Sequence, residues 1–135
     1  MADIPKAAKR PLSPHLQIYK PMLTMMMSIA HRITGVALYL GTLLLAWWLI
    51  AAATNEAYFT FVNELAGSVY GRLVLFGFSW ALFHHMLGGI RHFIWDTGRG
   101  FDLNTVEWMA RFTLVGGLAI TLGVWYLAYK MMGVL

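Results

Sequence analysis

Residues 33–55 read ITGVALYLGTLLLAWWLIAAATN, a run of 23 residues without a formal charge. At about 1.5 Å of rise per helical residue, this run is longer than the roughly 30 Å of hydrocarbon in a bilayer. Two uncharged runs of 18 residues follow it, at residues 73–90 and 112–129, and each is flanked by arginine or lysine. Basic side chains at such positions extend toward the lipid headgroups. The sequence therefore predicts three membrane-spanning helices, at about residues 29–53, 70–94 and 109–131.

The composition of the chain agrees with a surface that faces lipid. Of the 135 residues, 59% are hydrophobic and only 12% are charged, whereas roughly 25% of the residues in a soluble domain are charged. The net charge of +4 is compatible with nucleic-acid binding, but in a chain this apolar we expect the basic residues to set membrane orientation instead. We therefore predict an all-α membrane protein that contacts lipid and no nucleic acid.

The residue types that are absent also limit the chemistry. The chain has no cysteine, which excludes disulfides, thiolate metal sites, thiol catalysis and iron–sulfur clusters held by this chain. Its five histidines are then the main candidate ligands for a transition metal.

The distribution of basic residues predicts the orientation. Four of them precede the first span: Lys6, Lys9, Arg10 and Lys20. The connection at residues 51–71 contains glutamate but neither lysine nor arginine, whereas the connection at residues 91–111 is basic again. Because basic residues collect on the cytoplasmic side, we expect the N-terminus on the cytoplasmic or matrix side and the C-terminus on the opposite side.

Residues 1–27 differ in composition from the remainder and contain all four prolines of the chain. Proline disfavours helix interiors, so we expect an extended segment on the cytoplasmic face, followed by a three-helix transmembrane domain at residues 28–135. Three helices are few for a self-sufficient bundle, so we also expect partner chains.

The second span carries histidines that require partners in lipid. His85 and His92 are seven residues apart and share a helix face, and Gly88 and Gly89 on the same side would open space for a flat group such as a haem. The neighbouring His84 points about 100° away from His85. At most one of the two is therefore expected to bind an iron, and the alignment favours His85. An ordinary hydrogen bond to a neighbouring helix is the alternative.

The start of the first span presents a second polar stripe. Ser28, His31, Arg32 and Gly35 occupy positions i, i+3, i+4 and i+7 of one helix face. The hydroxyl, imidazole and guanidinium groups can hold the propionates of a haem or hydrogen-bond the carbonyl of a quinone. An interfacial anchor, with Arg32 on lipid phosphate and Ser28 as an N-cap, is equally compatible.

Three segments together resemble the cytochrome b membrane subunit of succinate dehydrogenase, respiratory complex II. They are RPLSPHLQIY at residues 10–19, SIAHRITG at residues 28–35, and the pattern HxxxGxRHxxxD at residues 85–96. Each pattern alone is weak, but the three occur in the order of the family on a chain with three predicted spans. The resemblance covers most of the chain.

The resemblance implies roles for individual residues. His85 occupies the position of an axial ligand of haem b, whose other ligand would come from a second membrane-anchor subunit. Ser28 and Arg32 match positions in the ubiquinone pocket, and His31, Arg32 and His92 lie where the haem propionates are held.

The resemblance also implies partners and a location. A chain of this family anchors a flavoprotein and an iron–sulfur subunit to a bacterial cytoplasmic membrane or a mitochondrial inner membrane. Electrons would pass from the iron–sulfur subunit to ubiquinone. Succinate oxidation is expected in the partner subunits, because this chain has no flavin motif and no cysteine.

Two other interpretations compete with this one. The first is a haemless anchor, or a small subunit of another complex, in which the histidines and Arg32 form a proton path. The second is a cytochrome that acts alone, with His31 and His85 as the two axial ligands. We expect the second to be wrong because His31 should lie near the interface and His85 several residues deeper.

Overall fold

The structure is a computed structural model that describes residues 20–134. Within this range the chain forms four α-helices, α1 (Leu23–Thr54), α2 (Glu56–Gly67), α3 (Val69–Asp96) and α4 (Leu103–Met131), and no strand. The helices α1, α3 and α4 are each long and apolar enough to cross a membrane. The prediction of an all-α protein with three membrane-spanning helices is confirmed.

The first helix begins earlier than the predicted domain boundary. Helix α1 starts at Leu23, so the last five residues of the segment predicted as extended, residues 23–27, are helical. Pro21 lies just before the first turn, where its missing N–H is not needed, and no proline or glycine follows until Gly35. The SPHLQIY element and the rest of the predicted extended segment lie outside the described residues.

Close contacts between glycine and aromatic rings join α1 to α3, which run antiparallel. Gly41 of α1 faces the ring of Phe78, and Gly88 of α3 faces the ring of His31; a Cβ atom at either glycine would overlap the facing ring. Small residues at such contacts let membrane helices approach closely. The first turns of α1 are thereby held against the last turns of α3.

Helices α3 and α4 are joined by a short turn at residues 97–102 and also run antiparallel. Gly98 and Gly100 adopt positive φ angles of 75° and 76°, which suit glycine. The Trp95 indole N–H donates to the carbonyl oxygen of Gly100 at 3.1 Å, and the Asp102 side chain caps α4. This turn brings the start of α4 to the same end of the bundle as the start of α1.

The short helix α2 has no counterpart among the predicted helices, because the connection between the first two spans contains no long run of uncharged apolar residues. The Asn55 side chain caps this helix by accepting from the backbone N–H of Tyr58 at 2.8 Å. Two indoles of α1 then fix its position: Trp47 donates to the Tyr58 hydroxyl at 2.6 Å, and Trp48 donates to the Asn63 side-chain oxygen at 3.0 Å. Helix α2 therefore packs against the end of α1 that is far from His31.

Most of the apolar surface of the spans points away from the chain itself. In the most apolar 18-residue stretch of α1, only 11% is buried within the chain. The corresponding stretches of α3 and α4 are 22% and 17% buried. Apolar side chains in this situation require lipid or another membrane chain around them.

Candidate functional site

Three imidazoles form a cluster between α1 and α3, which we call the histidine cluster. The rings of His31 and His85 are stacked, with centroids 3.9 Å apart and an interplanar angle of 8°. The ring of His92 lies 5.2 Å from that of His31 at an angle of 45°. The structure thus brings together three of the residues predicted from sequence, and His31 contacts the other two.

The hydrogen bonds of His85 define the state of its ring. Its Nδ1 atom lies 3.0 Å from the carbonyl oxygen of His31 and 3.3 Å from the hydroxyl oxygen of Thr34. A carbonyl oxygen can only accept a hydrogen bond, so the proton of a neutral His85 ring is on Nδ1. The Nε2 atom then carries the lone pair that a neutral histidine uses to bind a metal.

His84 has a different environment from His85. It is fully buried, the backbone of His84 packs against Gly117 of α4, and its ring lies 5.2 Å from that of Trp80. Neither ring nitrogen has a hydrogen-bond partner among the residues that the structure describes. The two neighbouring histidines are therefore directed toward different helices, His85 toward α1 and His84 toward α4.

Of the two glycines expected to leave space near His85, Gly88 does not and Gly89 does. The space beside Gly88 is filled by the His31 ring, whereas a Cβ atom on Gly89 would have no atom within 4 Å. Gly35 of α1 lies directly beside His85, since a Cβ atom there would be 3.1 Å from the His85 Cε1 atom. Gly35 and Gly88 therefore allow the two helices to approach each other, and neither opens a space for a flat group.

The polar stripe at the start of α1 is divided between two environments. His31 is directed into the contact with α3, as its ring stacking shows. Ser28 is half-buried and Arg32 is exposed. Arg32 is thus accessible to a molecule or chain outside this one, while His31 is held inside the bundle.

Thr34 and Arg91 are two further polar residues at this end of the bundle, and neither was among the predicted site residues. Thr34 is 2% exposed and Arg91 is 3% exposed. The Arg91 guanidinium carbon lies 5.1 Å from the centre of the Trp95 ring, and its Nε atom has no hydrogen-bond partner among residues 20–134. The spacing offered a signal for each: Thr34 follows His31 by three residues, and Arg91 follows His84 by seven, so each pair shares a helix face.

The interpretation with His31 and His85 as two ligands of one iron is incompatible with this geometry. Parallel rings with centroids 3.9 Å apart leave no space for a porphyrin between them. The predicted difference in depth agrees with the packing, because His31 faces Gly88 whereas His85 faces Gly35, about one helical turn further from the start of α1. The geometry of the rings excludes the pair.

Three apolar helices with imidazoles packed between them define a small integral membrane subunit of the kind that works in a larger complex. The family model described as succinate dehydrogenase/fumarate reductase transmembrane subunit matches residues 6–124. The chain belongs to this family, and the resemblance found in the sequence is confirmed.

Individual relatives agree with the family model. A succinate dehydrogenase cytochrome b556 subunit of Paracoccus denitrificans is 38% identical over 120 residues, which are 89% of this chain and 92% of the relative. A cytochrome b556 subunit of Rickettsia conorii is 39% identical over 117 residues, or 87% and 91% of the two chains. The mitochondrial cytochrome b560 subunit of Mus musculus is 38% identical over 122 residues, covering 84% of this chain and 72% of the relative.

Proposed function

We propose that this chain is a membrane-anchoring cytochrome b subunit of succinate dehydrogenase that binds haem b with a partner subunit and helps to form the ubiquinone site. The observation that carries the proposal is the hydrogen bond from His85 Nδ1 to the His31 carbonyl at 3.0 Å. It leaves the Nε2 lone pair of a half-buried imidazole available to an iron atom.

The residues present fit a haem. His85 would supply one nitrogen ligand to the haem iron, and the imidazoles of His31 and His92 beside it would provide N–H groups for the propionates. The exposed Arg32 adds a guanidinium, which binds carboxylates through two parallel hydrogen bonds. When bound, haem b supplies a site that takes up and releases one electron at a time.

A partner membrane subunit would supply the other ligand of the haem iron in this proposal. His31 is stacked on His85, and His84 is buried on the side of α4, so neither of them is suited to be that second ligand. The apolar outer faces of the three spans, which are mostly unburied within this chain, are where that subunit and lipid would pack.

The same end of the chain is suited to hold a quinone. Ser28 donates a hydrogen bond to one quinone carbonyl oxygen, and Arg32 stabilises the negative charge that develops on the oxygen as electrons arrive. Ubiquinone accepts two electrons and two protons to give ubiquinol. The electrons come from the iron–sulfur subunit, because this chain has no cysteine to hold a cluster. Succinate is oxidised at the flavoprotein subunit in this proposal.

Purification of the chain in mild detergent tests the proposal. We expect a flavoprotein, an iron–sulfur subunit and a second small membrane subunit to co-purify. We also expect the reduced complex to show the sharp visible bands of a low-spin b-type haem and to reduce ubiquinone with succinate. A complex without these bands would support the haemless anchor, and other co-purifying subunits would contradict the assignment to succinate dehydrogenase.

A further inference from the structure

We propose that Thr34 and Gly35 are positioning residues that hold the His85 ring in the orientation and tautomer required for binding iron through Nε2. This inference rests on the proposed function. The two residues act through His85 and touch neither iron nor porphyrin in the proposal.

Thr34 supplies a second acceptor to the His85 ring. Its hydroxyl oxygen lies 2.9 Å from the carbonyl oxygen of Ala30 and 3.0 Å from that of His31. Because both groups only accept, the single hydroxyl proton is directed to the backbone of α1. A lone pair of the Thr34 oxygen then faces His85 Nδ1 at 3.3 Å. The Nδ1 proton is therefore shared between the His31 carbonyl and the Thr34 hydroxyl.

Gly35 allows the ring to come close enough for this arrangement. A Cβ atom at this position would lie 3.1 Å from His85 Cε1 and 3.6 Å from Nδ1, so even an alanine would require the ring to move by a few tenths of an ångström. A second restraint is the stacked His31 ring, 3.9 Å from His85 between centroids. The backbone at Gly35, the Thr34 hydroxyl and the His31 ring together prevent the imidazole from turning over.

A hydrogen bond at Nδ1 influences the metal through the ring. An acceptor there makes the imidazole a stronger electron donor at Nε2 and stabilises the more oxidised iron. Loss of one acceptor weakens that donation and favours the reduced iron. The Thr34 hydroxyl therefore tunes the ease with which the haem is reduced.

The test compares Thr34→Val with Thr34→Ser in the purified four-subunit complex. Valine keeps the shape of threonine and removes the acceptor, whereas serine keeps the hydroxyl. At a fixed solution potential, we expect Thr34→Val to shift the ratio of reduced to oxidised haem about two- to tenfold toward the reduced form, the size expected for one weak hydrogen bond. We expect Thr34→Ser to have the wild-type ratio.

Thr42→Val is the matched control for this experiment. Thr42 is exposed, lies on the same helix, and donates to the carbonyl of Tyr39 at 2.6 Å; the structure records no hydrogen bond from it to a histidine. We expect this variant to keep the wild-type ratio and haem content.

Gly35→Ala tests the steric half of the inference. We expect it to reduce the haem content of the assembled complex or to alter its low-spin spectrum, because the alanine Cβ displaces His85. Gly77→Ala on α3 is its control, since a Cβ atom there meets no atom within 4 Å.

The outcomes separate this inference from the proposed function. A wild-type complex that contains no haem overturns the proposed function. If the wild-type complex contains haem, the role of Thr34 alone is overturned by either of two results. One is a ratio of reduced to oxidised haem in Thr34→Val that equals the wild-type ratio, and the other is a ratio in Thr34→Ser that differs from it. An unaltered spectrum and haem content in Gly35→Ala overturns the role of Gly35.

Discussion

At the scale of single residues, His84 and His85 are neighbours in sequence with different surroundings. We expect His85→Ala to abolish or change the b-type spectrum of the assembled complex, because it removes the Nε2 atom that is left free to bind iron when Nδ1 donates to the His31 carbonyl. We expect His84→Ala to keep that spectrum and to lower the melting temperature of the complex, since it removes a fully buried side chain. Reduced-minus-oxidised spectra measure the first effect. The opposite pattern would assign the ligand role to His84.

Ser28 and Arg32 are predicted to act on the quinone. We expect Ser28→Ala to lower the rate from succinate to quinone by roughly ten- to a thousandfold, because a hydrogen bond that strengthens as the quinone is reduced acts on the transition state. Arg32→Lys keeps the charge but loses the planar pair of donors, so we expect partial activity. The rate from succinate to an artificial dye that accepts electrons upstream is the control. Equal losses with both acceptors would show that the residues support assembly, and unchanged quinone rates would remove them from the site.

The residues of the site differ in how well the sequence could predict them. His31, His85 and His92 were chosen by helical spacing, and the structure brings their rings together. Spacing also places Thr34 on the helix face of His31, but it does not indicate a contact with His85. A threonine within a helix ordinarily bonds to the carbonyl four residues earlier, as Thr34 does to Ala30, and nothing in the sequence indicates that the same oxygen meets a ring 51 positions away.

At the scale of helices, the contact between α1 and α3 depends on Gly88. An alanine there would overlap the His31 ring, so the two helices would have to separate or the ring would have to move. We expect Gly88→Ala to lower the melting temperature of the purified complex by several degrees and to reduce its haem content. Gly123→Ala, where a Cβ atom meets nothing within 4 Å, is the control. Equal melting temperatures and haem contents for the two variants would contradict this prediction.

Helix α2 offers a prediction that is independent of the histidine cluster. We expect Trp48→Phe to increase deuterium uptake by the backbone of α2, because it removes the indole that donates to Asn63 at 3.0 Å while keeping an aromatic ring. The haem spectrum should not change, since α2 packs at the other end of α1. Trp108→Phe, at the start of α4, is the control. Unchanged deuterium uptake in α2 would show that this hydrogen bond does not hold the helix in place.

The helices also show which part of the fold the sequence could predict. Long runs without charge mark α1, α3 and α4 directly, because a charge in the hydrocarbon layer is costly. Helix α2 lacks such a signal: its residues include Glu56 and Glu64, and its position depends on hydrogen bonds from Trp47 and Trp48 that form only after α1 exists.

At the scale of the whole molecule, the absence of native cysteine makes the orientation directly testable. We propose that the turn between α3 and α4 is on the cytoplasmic or matrix side and α2 is on the opposite side. A single cysteine introduced by Arg99→Cys should then react with a membrane-impermeant maleimide only from the cytoplasmic side, and Glu64→Cys only from the other side. Both native residues are exposed. Spheroplasts expose the outer side of the membrane to the reagent, and inverted membrane vesicles expose the cytoplasmic side. A reversed labelling pattern would overturn the orientation.

The length of α1 has a consequence for the energetics of the whole complex. Its 32 residues extend for about 48 Å, which is well beyond the roughly 30 Å of hydrocarbon even with a strong tilt. His31 is the ninth residue of this helix, about 12 Å from its start, and so lies near one boundary of the insulating layer. In the proposed function and orientation, a quinone reduced at that boundary would take its electrons from the iron–sulfur subunit and its protons from the same side of the membrane. Its reduction would therefore move no net charge across the bilayer and would not contribute to the membrane voltage.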